Sequence, residues 1–465
     1  MKIAVFGTGY VGLVTAVGLA NTGKKVICID NDLEKVEKIR KGISPIYEPG
    51  LDALLLKNLE RLAITSNAAD AITASDVIII AVGTPFDGNR IDLSYIRQAA
   101  REIGEAIKNT DDYKVVVVKS TVVPDTTMGV VRPIVLEHSG KQEEEVGFCM
   151  NPEFLREGNA VEDFLDPDRI VLGVSSPEVE AMMREVYDGY RDSAILITNP
   201  TTAEMIKYTA NSFLALTISF SNEIARICEN LPGVDSEEVF NGVIHDKRFS
   251  PIIGKERITP QLASYLRAGV GFGGSCFPKD VKALRSFSKG LKVDGKLLDG
   301  LLHINETQLE HVFSMGLKKF SGKARRIAVL GTAFKPNTDD VRESPGVKLA
   351  QMALGQGIQV AVQDYVALSN TKALLGAQVE YYDDPLEAVE GADIVFVTTI
   401  WPQYLDISEE DFEKHMPEQA IMVDTRSHFK ERKAKKWRHR IGVGQPLPVN
   451  GEVEYSLRNN GYGIH

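Results

Sequence analysis

The stretch KIAVFGTGYVG, residues 2–12, decides the fold of this chain. Its apolar run from Ile3 to Phe6 predicts a short strand, which leads into glycines and then into LVTAVGLANTG, where apolar residues continue at helical spacing. The next apolar run, KKVICID, ends at Asp30 and predicts a second strand. Strand, glycine turn, helix and strand in this order predict a βαβ unit with parallel strands.

The glycine turn has the spacing of a dinucleotide site. Gly7, Gly9 and Gly12 follow the pattern G-x-G-x-x-G between the strand and the helix. Such glycines permit a tight turn, close approach of a pyrophosphate and close helix–strand packing, and the helix N-terminus adds partial positive charge. Asp30, eighteen residues after Gly12, would accept hydrogen bonds from the ribose hydroxyls and repel a 2′-phosphate. The turn therefore predicts binding of NAD rather than NADP.

The rest of the chain indicates α/β architecture with a helical centre. Apolar stretches at 74–85 and 113–124 predict buried parallel strands, and ILITNP at 195–200 closes this first layer. Residues from about 201 to 230 contain helix formers throughout with an apolar period near 3.6 residues, which predicts a helix long enough to bridge domains. The opening pattern returns in RRIAVLGTAF at 325–334, followed by GIQVAVQD and GADIVFVTTIWP.

We therefore expect two Rossmann-like, doubly wound parallel-sheet domains joined by a central helical domain with a long bridging helix. The predicted boundaries give domains at 1–200, 201–320 and 321–465. The two α/β copies differ, because GTAFKPNTDDVRESP carries lysine and arginine in the stretch that glycines would need. The first copy can hold a pyrophosphate on backbone amides, whereas the second must use side chains.

Composition and charge narrow the class of protein. A formal net charge of −11 gives no broad attraction to nucleic acid or to an anionic membrane surface. No stretch approaches the ~20 apolar residues that span a bilayer, and the N-terminus shows no signal-peptide cleavage site. The four cysteines are scattered without a CxxC pair, which argues against a disulfide framework or structural zinc and for a reducing, cytoplasmic setting. We expect no metal, nucleic acid or membrane partner.

A second glycine-rich turn, GFGGSCFPKD at 271–280, carries Cys276. Its glycines let the backbone approach a ligand closely and expose the residues that follow. The thiol could be a nucleophile if neighbouring cations, of which Lys279 is near in sequence, lower its pKa from about 8.5. The alternative is a small buried apolar cysteine, the interpretation we adopt for Cys28, Cys149 and Cys228.

Six motifs in order indicate a family. They are GTGYVG, STVVP, NPEFLREG, KYTAN, GFGGSCFPKD and GTAFKPNTDDVRESP, and together they resemble the UDP-glucose 6-dehydrogenase family of nucleotide-sugar dehydrogenases from Met1 to about Arg426. The resemblance implies oxidation of a primary alcohol to a carboxylate in two NAD-dependent steps without release of the aldehyde. UDP-glucose would be the substrate and UDP-glucuronate the product. The three domains would then bind NAD, carry the catalytic cysteine and a dimer contact, and bind UDP, in that order along the chain.

The second oxidation gives the thiol a role. Addition of Cys276 to the aldehyde would yield a thiohemiacetal, hydride transfer a thioester, and water then the acid. By resemblance, Lys207 and Asn211, four apart on one face of the long helix, stabilise developing oxyanions. Asp280 would orient or activate the hydrolytic water, with Thr121 beside it.

Glu153 and Glu157 of NPEFLREG are further candidates, for proton transfer or water binding. If EFLREG starts a helix, their spacing of four residues places both on one face. Which of the two acts, and in which step, stays open.

The remaining site residues follow from the same resemblance. Lys335 and Arg426 match positions that hold the nucleotide diphosphate and sugar, and Arg342 is interpreted as loop support. The predicted substrate-binding residues are Phe154, Leu155, Lys207, Asn211, Arg257, Tyr265, Phe272, Gly273, Phe277, Phe334, Lys335 and Arg426. The predicted cofactor-binding residues are Gly7, Gly9, Tyr10, Val11, Gly12, Asp30, Thr84, Thr121 and Lys279.

One segment departs from the family pattern. The family commonly has RIG a fixed short distance before the glycine turn, and its arginine reaches the substrate of the neighbouring subunit. Here Arg257 and Ile258 stand in a lengthened segment, and Arg248 is a rival for the same role. We predict that Arg257 contacts the sugar and keep Arg248 as the alternative.

Other functions stay open at this point. The same chemistry could act on another nucleotide sugar, such as GDP-mannose or a UDP-N-acetylhexosamine. A two-electron β-hydroxyacid dehydrogenase of related architecture would use Lys207 and Asn211 but not Cys276, and a non-enzymatic NAD-binding scaffold would use none of them. The long apolar helix and the resemblance predict a homodimer or a higher homo-oligomer.

Overall fold

The computed structural model describes residues 1–190, 192–429 and 440–446. These residues form two large sheets, one early and one late in the chain, and a mainly helical part between them that contains a third, two-stranded sheet. No helix in these three ranges is both long enough and apolar enough to cross a membrane.

The first sheet has eight strands. They are β1 (Lys2–Phe6), β2 (Lys25–Ile29), β3 (Leu62–Thr65), β4 (Val77–Ile80), β5 (Lys114–Val118), β6 (Val146–Met150), β7 (Arg169–Val174) and β8 (Ala194–Thr198). Their order across the sheet is β3-β2-β1-β4-β5-β6-β7-β8. Every neighbouring pair is parallel except β6 and β7, which are antiparallel.

Helices cover both faces of this sheet. They are α1 (Tyr10–Asn21), α2 (Leu33–Arg40), α3 (Leu51–Lys57), α4 (Ala68–Thr73), α5 (Ser94–Ile107), α6 (Arg132–Ser139), α7 (Ala160–Leu165) and α8 (Pro177–Val186), and a π-helical turn at Thr127–Val131 leads into α6. Alternate residues of one strand enter different cores, because successive side chains of a strand point to opposite faces. Val77 and Ile79 of β4 join one apolar cluster, and Ile78 and Ile80 join the other.

A long helix begins where the first sheet ends. α9 (Pro200–Cys228) has 29 residues, about 44 Å, and the Asn199 side chain caps it by accepting a hydrogen bond from the Thr202 amide at 2.8 Å. The remaining elements of the central part are α10 (Ser236–Ile244), β9 (Ile252–Ile253), β10 (Glu256–Arg257), a 3₁₀ turn at Gln261–Tyr265, α11 (Phe277–Gly290) and α12 (Lys296–Lys319). α9 packs on α11, α12 and β7, so it connects the first sheet to the segment that carries the cysteine turn.

The second sheet is parallel throughout its described strands. Its elements are β11 (Arg326–Leu330), α13 (Pro345–Gly355), β12 (Gln359–Gln363), α14 (Leu368–Leu375), β13 (Glu380–Tyr382), α15 (Pro385–Val389), β14 (Ile394–Val397), α16 (Glu409–His415), β15 (Ile421–Asp424) and β16 (Arg440–Gly442), with 3₁₀ turns at Gly376–Gln378 and Pro402–Asp406. The strand order is β13-β12-β11-β14-β15-β16. Two doubly wound α/β units joined by helices confirm the predicted fold class. The boundaries at residues 200 and 320 stay a prediction, and residues 430–439 and 447–465 of the third predicted domain lie outside the described residues.

The turn after β1 is closed by direct backbone contact with helix α1. A Cβ added at Gly12, in the first turn of α1, would lie 1.9 Å from the carbonyl oxygen of Gly7, which itself has φ +89°. Gly9 differs, since nothing lies within 4 Å of a Cβ built there and its φ of −71° suits any residue. Gly12 is therefore required by the fold, whereas Gly9 leaves open space above the helix N-terminus.

We expect Gly12→Ala to lower Tm by roughly 5 °C or more, because the methyl group forces the β1–α1 turn apart. Gly9→Ala is the matched control, and its Tm should stay close to that of the unmodified protein. Calorimetry of both variants checks this difference. Equal losses in the two variants would contradict the contact described here.

Candidate active site

A cavity of about 480 Å³ lies where the two halves of the chain face each other. Its walls come from the loop after β6, from α9, from the cysteine turn before α11, and from the segments that follow β11 and β15. The predicted residues that line it are Glu153, Phe154, Leu155, Glu157, Lys207, Asn211, Tyr265, Phe272, Gly273, Cys276, Phe277, Phe334, Lys335 and Arg426. Residues far apart in sequence therefore share one cavity.

A buried ion pair forms one wall. The Lys207 Nζ lies 2.9 Å from Glu153 Oε1, and the side chains of both residues are 6% exposed or less. Burial favours the neutral carboxyl, but the charge and hydrogen bond of Lys207, together with the Leu155 amide and the Lys119 charge, outweigh it and lower the pKa of Glu153. Burial likewise opposes the ammonium, but Glu153, together with the nearby Cys276 and Asp280, outweighs it and raises the pKa of Lys207. The pair stays ionised, so Lys207 is a fixed cation in the cavity.

Glu153 and Glu157 do not share a helical face. Residues 151–156 form an extended loop rather than the first turn of a helix, so the helix expected at EFLREG is absent. The Glu153 Oε2 accepts the Leu155 amide at 2.6 Å and its other oxygen holds Lys207, which fixes the carboxylate on the α9 side. This short loop, which contains Pro152, has no periodic apolar pattern that could stabilise a helix. The two glutamates therefore serve different parts of the site.

Asn211 lies one turn beyond Lys207 and links the cavity to Asp280. Its Nδ2 donates to Asp280 Oδ2 at 2.6 Å, and the Lys279 Nζ donates to Asp280 Oδ1 at 2.6 Å. Asp280 is 1% exposed and lies in the first turn of α11. Asp280 and Lys279 are not lining residues, so they reach the cavity only through Asn211.

Cys276 lines the cavity from the position that precedes α11. Burial of its thiol, followed by the negative charge of Glu153, raises the pKa of Cys276 to about 11, and the opposing charge of Lys207 does not compensate. This corrects the expectation that neighbouring cations lower the pKa. Lys279, the cation nearest in sequence, is held by Asp280 instead. The thiol is protonated at neutral pH and needs a group that takes its proton.

Glu157 contacts residues of the central part and of the second α/β unit. The Ser275 hydroxyl donates to its Oε1 at 2.7 Å, and the Arg342 Nη2 lies 3.4 Å from the same oxygen. Arg342 is also bound by Asp340 at 2.8 Å. Burial, followed by the negative charge of Asp340, raises the pKa of Glu157 to about 7. This carboxyl can therefore hold or release a proton near neutral pH.

Two cations face the cavity from the second α/β unit. Lys335 and Arg426 form no ion pair with a described carboxylate, and burial lowers the pKa of each. The Arg426 Nη2 donates to the Gly271 carbonyl at 3.1 Å, which ties it to the cysteine turn. Partly buried cations without a counter-ion suit a dianionic ligand such as a diphosphate.

Contacts with neighbouring segments hold the cysteine turn in place. A Cβ added at Gly273 would lie 2.3 Å from the Glu343 carbonyl oxygen, so only glycine fits between the two halves of the chain. The Asn305 side chain accepts the Phe272 amide at 2.8 Å and donates to its carbonyl at 3.1 Å. Phe272 and Tyr265 both pack against Phe277 within 6.4 Å between ring centroids. These contacts fix where Cys276 points.

The first glycine turn fits a dinucleotide. Burial opposes ionisation of Asp30, but hydrogen bonds from Thr8 and Asp32 outweigh it and lower the pKa of Asp30, which is half-buried at the end of β2. A carboxylate there accepts ribose hydroxyls, and the open space at Gly9 leaves room for a pyrophosphate at the N-terminus of α1. Tyr10 and Val11 form the first turn of that helix.

The edge of the sheet beside this turn is bridged by two further predicted residues. The Thr84 hydroxyl, after β4, donates to the Thr121 carbonyl, after β5, at 2.8 Å. Both therefore lie at the carboxyl ends of adjacent strands, where open α/β sheets bind ligands.

The second copy has no comparable opening. Asp364 at the end of β12 corresponds to Asp30 in strand order, but it is 2% exposed. Its carboxylate accepts the amides of Thr332 and Ala333 at 2.7 and 2.9 Å and the Trp401 Nε1 at 3.1 Å. These hydrogen bonds occupy the Asp364 carboxylate, so it is not available to a ribose. This agrees with the expectation that the second copy, which lacks the glycines, does not hold a pyrophosphate on backbone amides.

Arg257 and Arg248 lie outside the cavity of their own chain. The Arg257 Nη1 donates to the His245 and Ser250 carbonyls at 2.9 and 2.8 Å, and Arg248 pairs with Asp246 on the surface. Neither is a lining residue, so a contact with the sugar could only come from another subunit. The role of Arg257 stays a prediction.

Several lining residues were missed from the sequence. The Lys119 Nζ donates to Asn151 Oδ1 at 3.0 Å behind Glu153, and burial lowers the pKa of Lys119 to about 8. Arg169 stacks over the Phe154 ring at 3.9 Å. The sequence did carry a signal for Lys119, because a lysine directly after the buried apolar run VVVV must find a polar partner. The sequence carries no comparable signal for the stacking of Arg169 on Phe154.

Comparison with known proteins agrees with this arrangement. The NAD binding domain of the UDP-glucose/GDP-mannose dehydrogenase family matches residues 1–191, its central domain 201–307 and its UDP binding domain 328–431. A UDP-glucose 6-dehydrogenase of Bacillus subtilis (strain 168) is 42% identical over 432 residues, which cover 92% of this chain and 89% of that protein.

Solved structures give the same result. A UDP-glucose dehydrogenase from the archaeon Pyrobaculum islandicum superposes with a TM-score of 0.85 at 39% identity, covering 96% of this chain and 98% of that one. A UDP-D-ManNAc dehydrogenase from Pyrococcus horikoshii superposes with a TM-score of 0.80 at 28% identity, covering 96% and 99%. This chain therefore belongs to the UDP-glucose/GDP-mannose dehydrogenase family and is an NAD-dependent enzyme that oxidises UDP-sugars.

Proposed function

We propose that the enzyme oxidises UDP-glucose to UDP-glucuronate by removing four electrons in two steps, with Cys276 as the nucleophile of the second. The observation that carries this proposal is the position of the Cys276 thiol in the same cavity as the Lys207 cation and the unpaired Lys335 and Arg426. A simple alcohol dehydrogenase needs no thiol there. Lys335 and Arg426 favour a diphosphate in their part of the cavity, and we propose that the sugar extends from it toward the thiol.

The first oxidation would depend on Lys207 and Asn211. NAD, when bound, supplies the hydride acceptor for both oxidations. As the alcohol loses its proton and hydride, the oxygen carries developing negative charge, which the fixed Lys207 cation and the Asn211 amide stabilise. The Glu153 carboxylate keeps Lys207 charged and in place, so it acts through that lysine.

The second oxidation would depend on Cys276. The Sγ–C bond forms as sulfur adds to the aldehyde, and the thiohemiacetal then loses a hydride to give a thioester. Water cleaves the thioester, releasing the carboxylate and the free thiol. Asp280 is held by Asn211 and Lys279, and we propose that it orients this water through the Asn211 side chain. Thr121, whose carbonyl accepts from Thr84 at the strand edge, stays a predicted residue of this step.

The choice of UDP-glucose follows from the relatives. The Bacillus subtilis and Pyrobaculum islandicum proteins are named for UDP-glucose, whereas the Pyrococcus horikoshii protein is named for UDP-D-ManNAc at lower identity. Another nucleotide sugar is therefore the second candidate. Four free cysteines, three of them buried, support our proposal of a reducing, cytoplasmic location.

Purified enzyme with limiting UDP-glucose and excess NAD should form two NADH per sugar, because each oxidation transfers one hydride. Absorbance at the NADH band counts the product, and GDP-mannose and UDP-ManNAc are the comparison sugars. Cys276→Ser should stop steady turnover and leave NAD affinity unchanged. One NADH per sugar, or normal turnover of Cys276→Ser, would remove the thioester step.

We further propose that two chains associate along α9. Phe213, Phe220 and Ile227 recur every seven residues and are 52%, 49% and 54% exposed, so they form one apolar stripe along the helix. An aligned stripe of large apolar side chains is typical of a surface that another protein covers. A second copy of this chain is its proposed partner.

Phe220→Glu should shift the protein from dimer to monomer in sedimentation velocity, because the charge cannot be buried in the stripe. Leu374→Glu is the matched control, since Leu374 is 57% exposed on α14, away from α9, and its variant should stay dimeric. A dimer that persists in Phe220→Glu would contradict association through this helix.

A further inference from the structure

Ser275 stands between the thiol of Cys276 and the carboxylate of Glu157. Its Oγ lies 3.6 Å from Cys276 Sγ and 2.7 Å from Glu157 Oε1. All three residues line the cavity. Ser275 is neither a predicted site residue nor used in the steps described above.

We propose that Cys276, Ser275 and Glu157 form a proton relay, in which Ser275 passes the thiol proton to Glu157 as sulfur adds to the aldehyde and returns it during hydrolysis. The relay rests on the proposed function, because it serves the covalent step at Cys276. Ser275 contacts the reacting sulfur and is therefore a catalytic residue.

The direction of the hydrogen bonds supports the relay. A serine hydroxyl has one proton, and Ser275 donates it to Glu157, so the lone pairs of its oxygen are free to accept from the Cys276 S–H group. The chain therefore runs from S–H to O–H to carboxylate. A concerted shift of two protons along it leaves Ser275 neutral throughout.

The other carboxylates around the thiol are already engaged. Glu153 holds Lys207 and the Leu155 amide, and Asp280 holds Asn211 and Lys279. A proton placed on either would break a strong charge-assisted contact. The buried Oε2 of Glu157, in contrast, accepts from no donor among the described residues, and a hydrogen bond between the Glu157 and Asp340 carboxyl groups favours a proton on Glu157. Glu157 therefore accepts a proton at the lowest cost.

The charges around Glu157 set its pKa in the range that proton exchange at neutral pH requires. Burial and the Asp340 carboxylate raise the pKa of Glu157 to about 7, while the cations of Arg342 and Lys335 oppose them. Because its pKa is raised to about 11, the Cys276 thiol keeps its proton in the free enzyme. As the S–C bond forms, the sulfur becomes a weaker base and releases that proton. Proton transfer and bond formation therefore occur together.

Atoms and charges balance along this path. Sulfur bonds to the aldehyde carbon, the C=O π pair moves onto oxygen beside Lys207, and the thiol proton arrives on Glu157. Loss of hydride to NAD restores the C=O bond as a thioester. Water then adds to the thioester carbon and the S–C bond breaks, and both protons of the water pass to solvent as the product becomes a carboxylate. The leaving sulfur takes its proton back from Glu157 through Ser275.

Stopped-flow measurement of NADH in a single turnover separates the two oxidations. In Ser275→Ala we expect the first phase to keep its rate and the second to slow by about 100-fold, the usual effect of losing acid–base assistance. Ser275→Thr keeps the hydroxyl and should recover most of the second phase. Ser264→Ala, which removes an exposed serine of the turn before α11, is the control and should behave like the unmodified enzyme. A second phase of unchanged rate in Ser275→Ala overturns the relay.

Cys276→Ala separates failure of the relay from failure of the proposed function. If it loses only the second phase while Ser275→Ala keeps both, the thioester chemistry stands and the relay is wrong. If it keeps both phases, the proposed function itself is wrong and the relay falls with it.

A readout without substrate or NAD uses alkylation of Cys276 by iodoacetamide, followed by mass spectrometry across pH. Glu157→Gln should move the alkylation profile to lower pH, because the Glu157 charge contributes to the raised pKa of Cys276. In turnover, the second phase of the unmodified enzyme should slow as pH falls below about 7, where Glu157 becomes protonated, and Glu157→Gln should lack this limb and be slow throughout. An unmoved alkylation profile, or an acid limb that survives in Glu157→Gln, contradicts the assignment.

Discussion

The buried ion pair between Lys207 and Glu153 is the interaction on which the site depends. It joins α9 to the loop after β6 at 2.9 Å, with both side chains nearly inaccessible to water. Removing one partner of such a pair strands a buried charge and costs about 3–5 kcal/mol. The pair also contributes to the electrostatics of the cavity, since it holds the Lys207 cation at the cavity wall and places the negative charge of Glu153 near Cys276. One contact thus couples the packing of the long helix to the chemistry at its surface.

Two copies of one fold have diverged through a few residues. In the first, Asp30 is half-buried with open space near Gly9, and in the second Asp364 is sealed by backbone amides and Trp401. The second copy instead offers Lys335 and Arg426 to the shared cavity. We therefore expect the first unit to bind its ligand through backbone amides and the second through side-chain charge, because only the first keeps the glycines that expose its amides.

The carboxyl groups around the thiol have distinct protonation properties. Lys207 keeps Glu153 ionised, whereas Glu157 is buried near Asp340 and has a pKa raised to about 7. Environments that separate the pKa values of neighbouring carboxyls are how enzymes assign acid and base roles. Ser275 contacts both Glu157 and Cys276, so it connects only the second of these carboxyl groups to the thiol.

The sequence by itself determined the strands, the long helix and the glycine turn, because apolar periodicity and the spacing of Gly7, Gly9 and Gly12 are local properties. It also determined which residue types could do chemistry, and most of those named do line one cavity. Only the tertiary structure decided their partners. The loop at 151–156 is not helical, Arg257 lies away from the cavity, and the pKa of Cys276 is raised rather than lowered. Burial and long-range charge decide these points, and both depend on which distant segments meet when the chain folds.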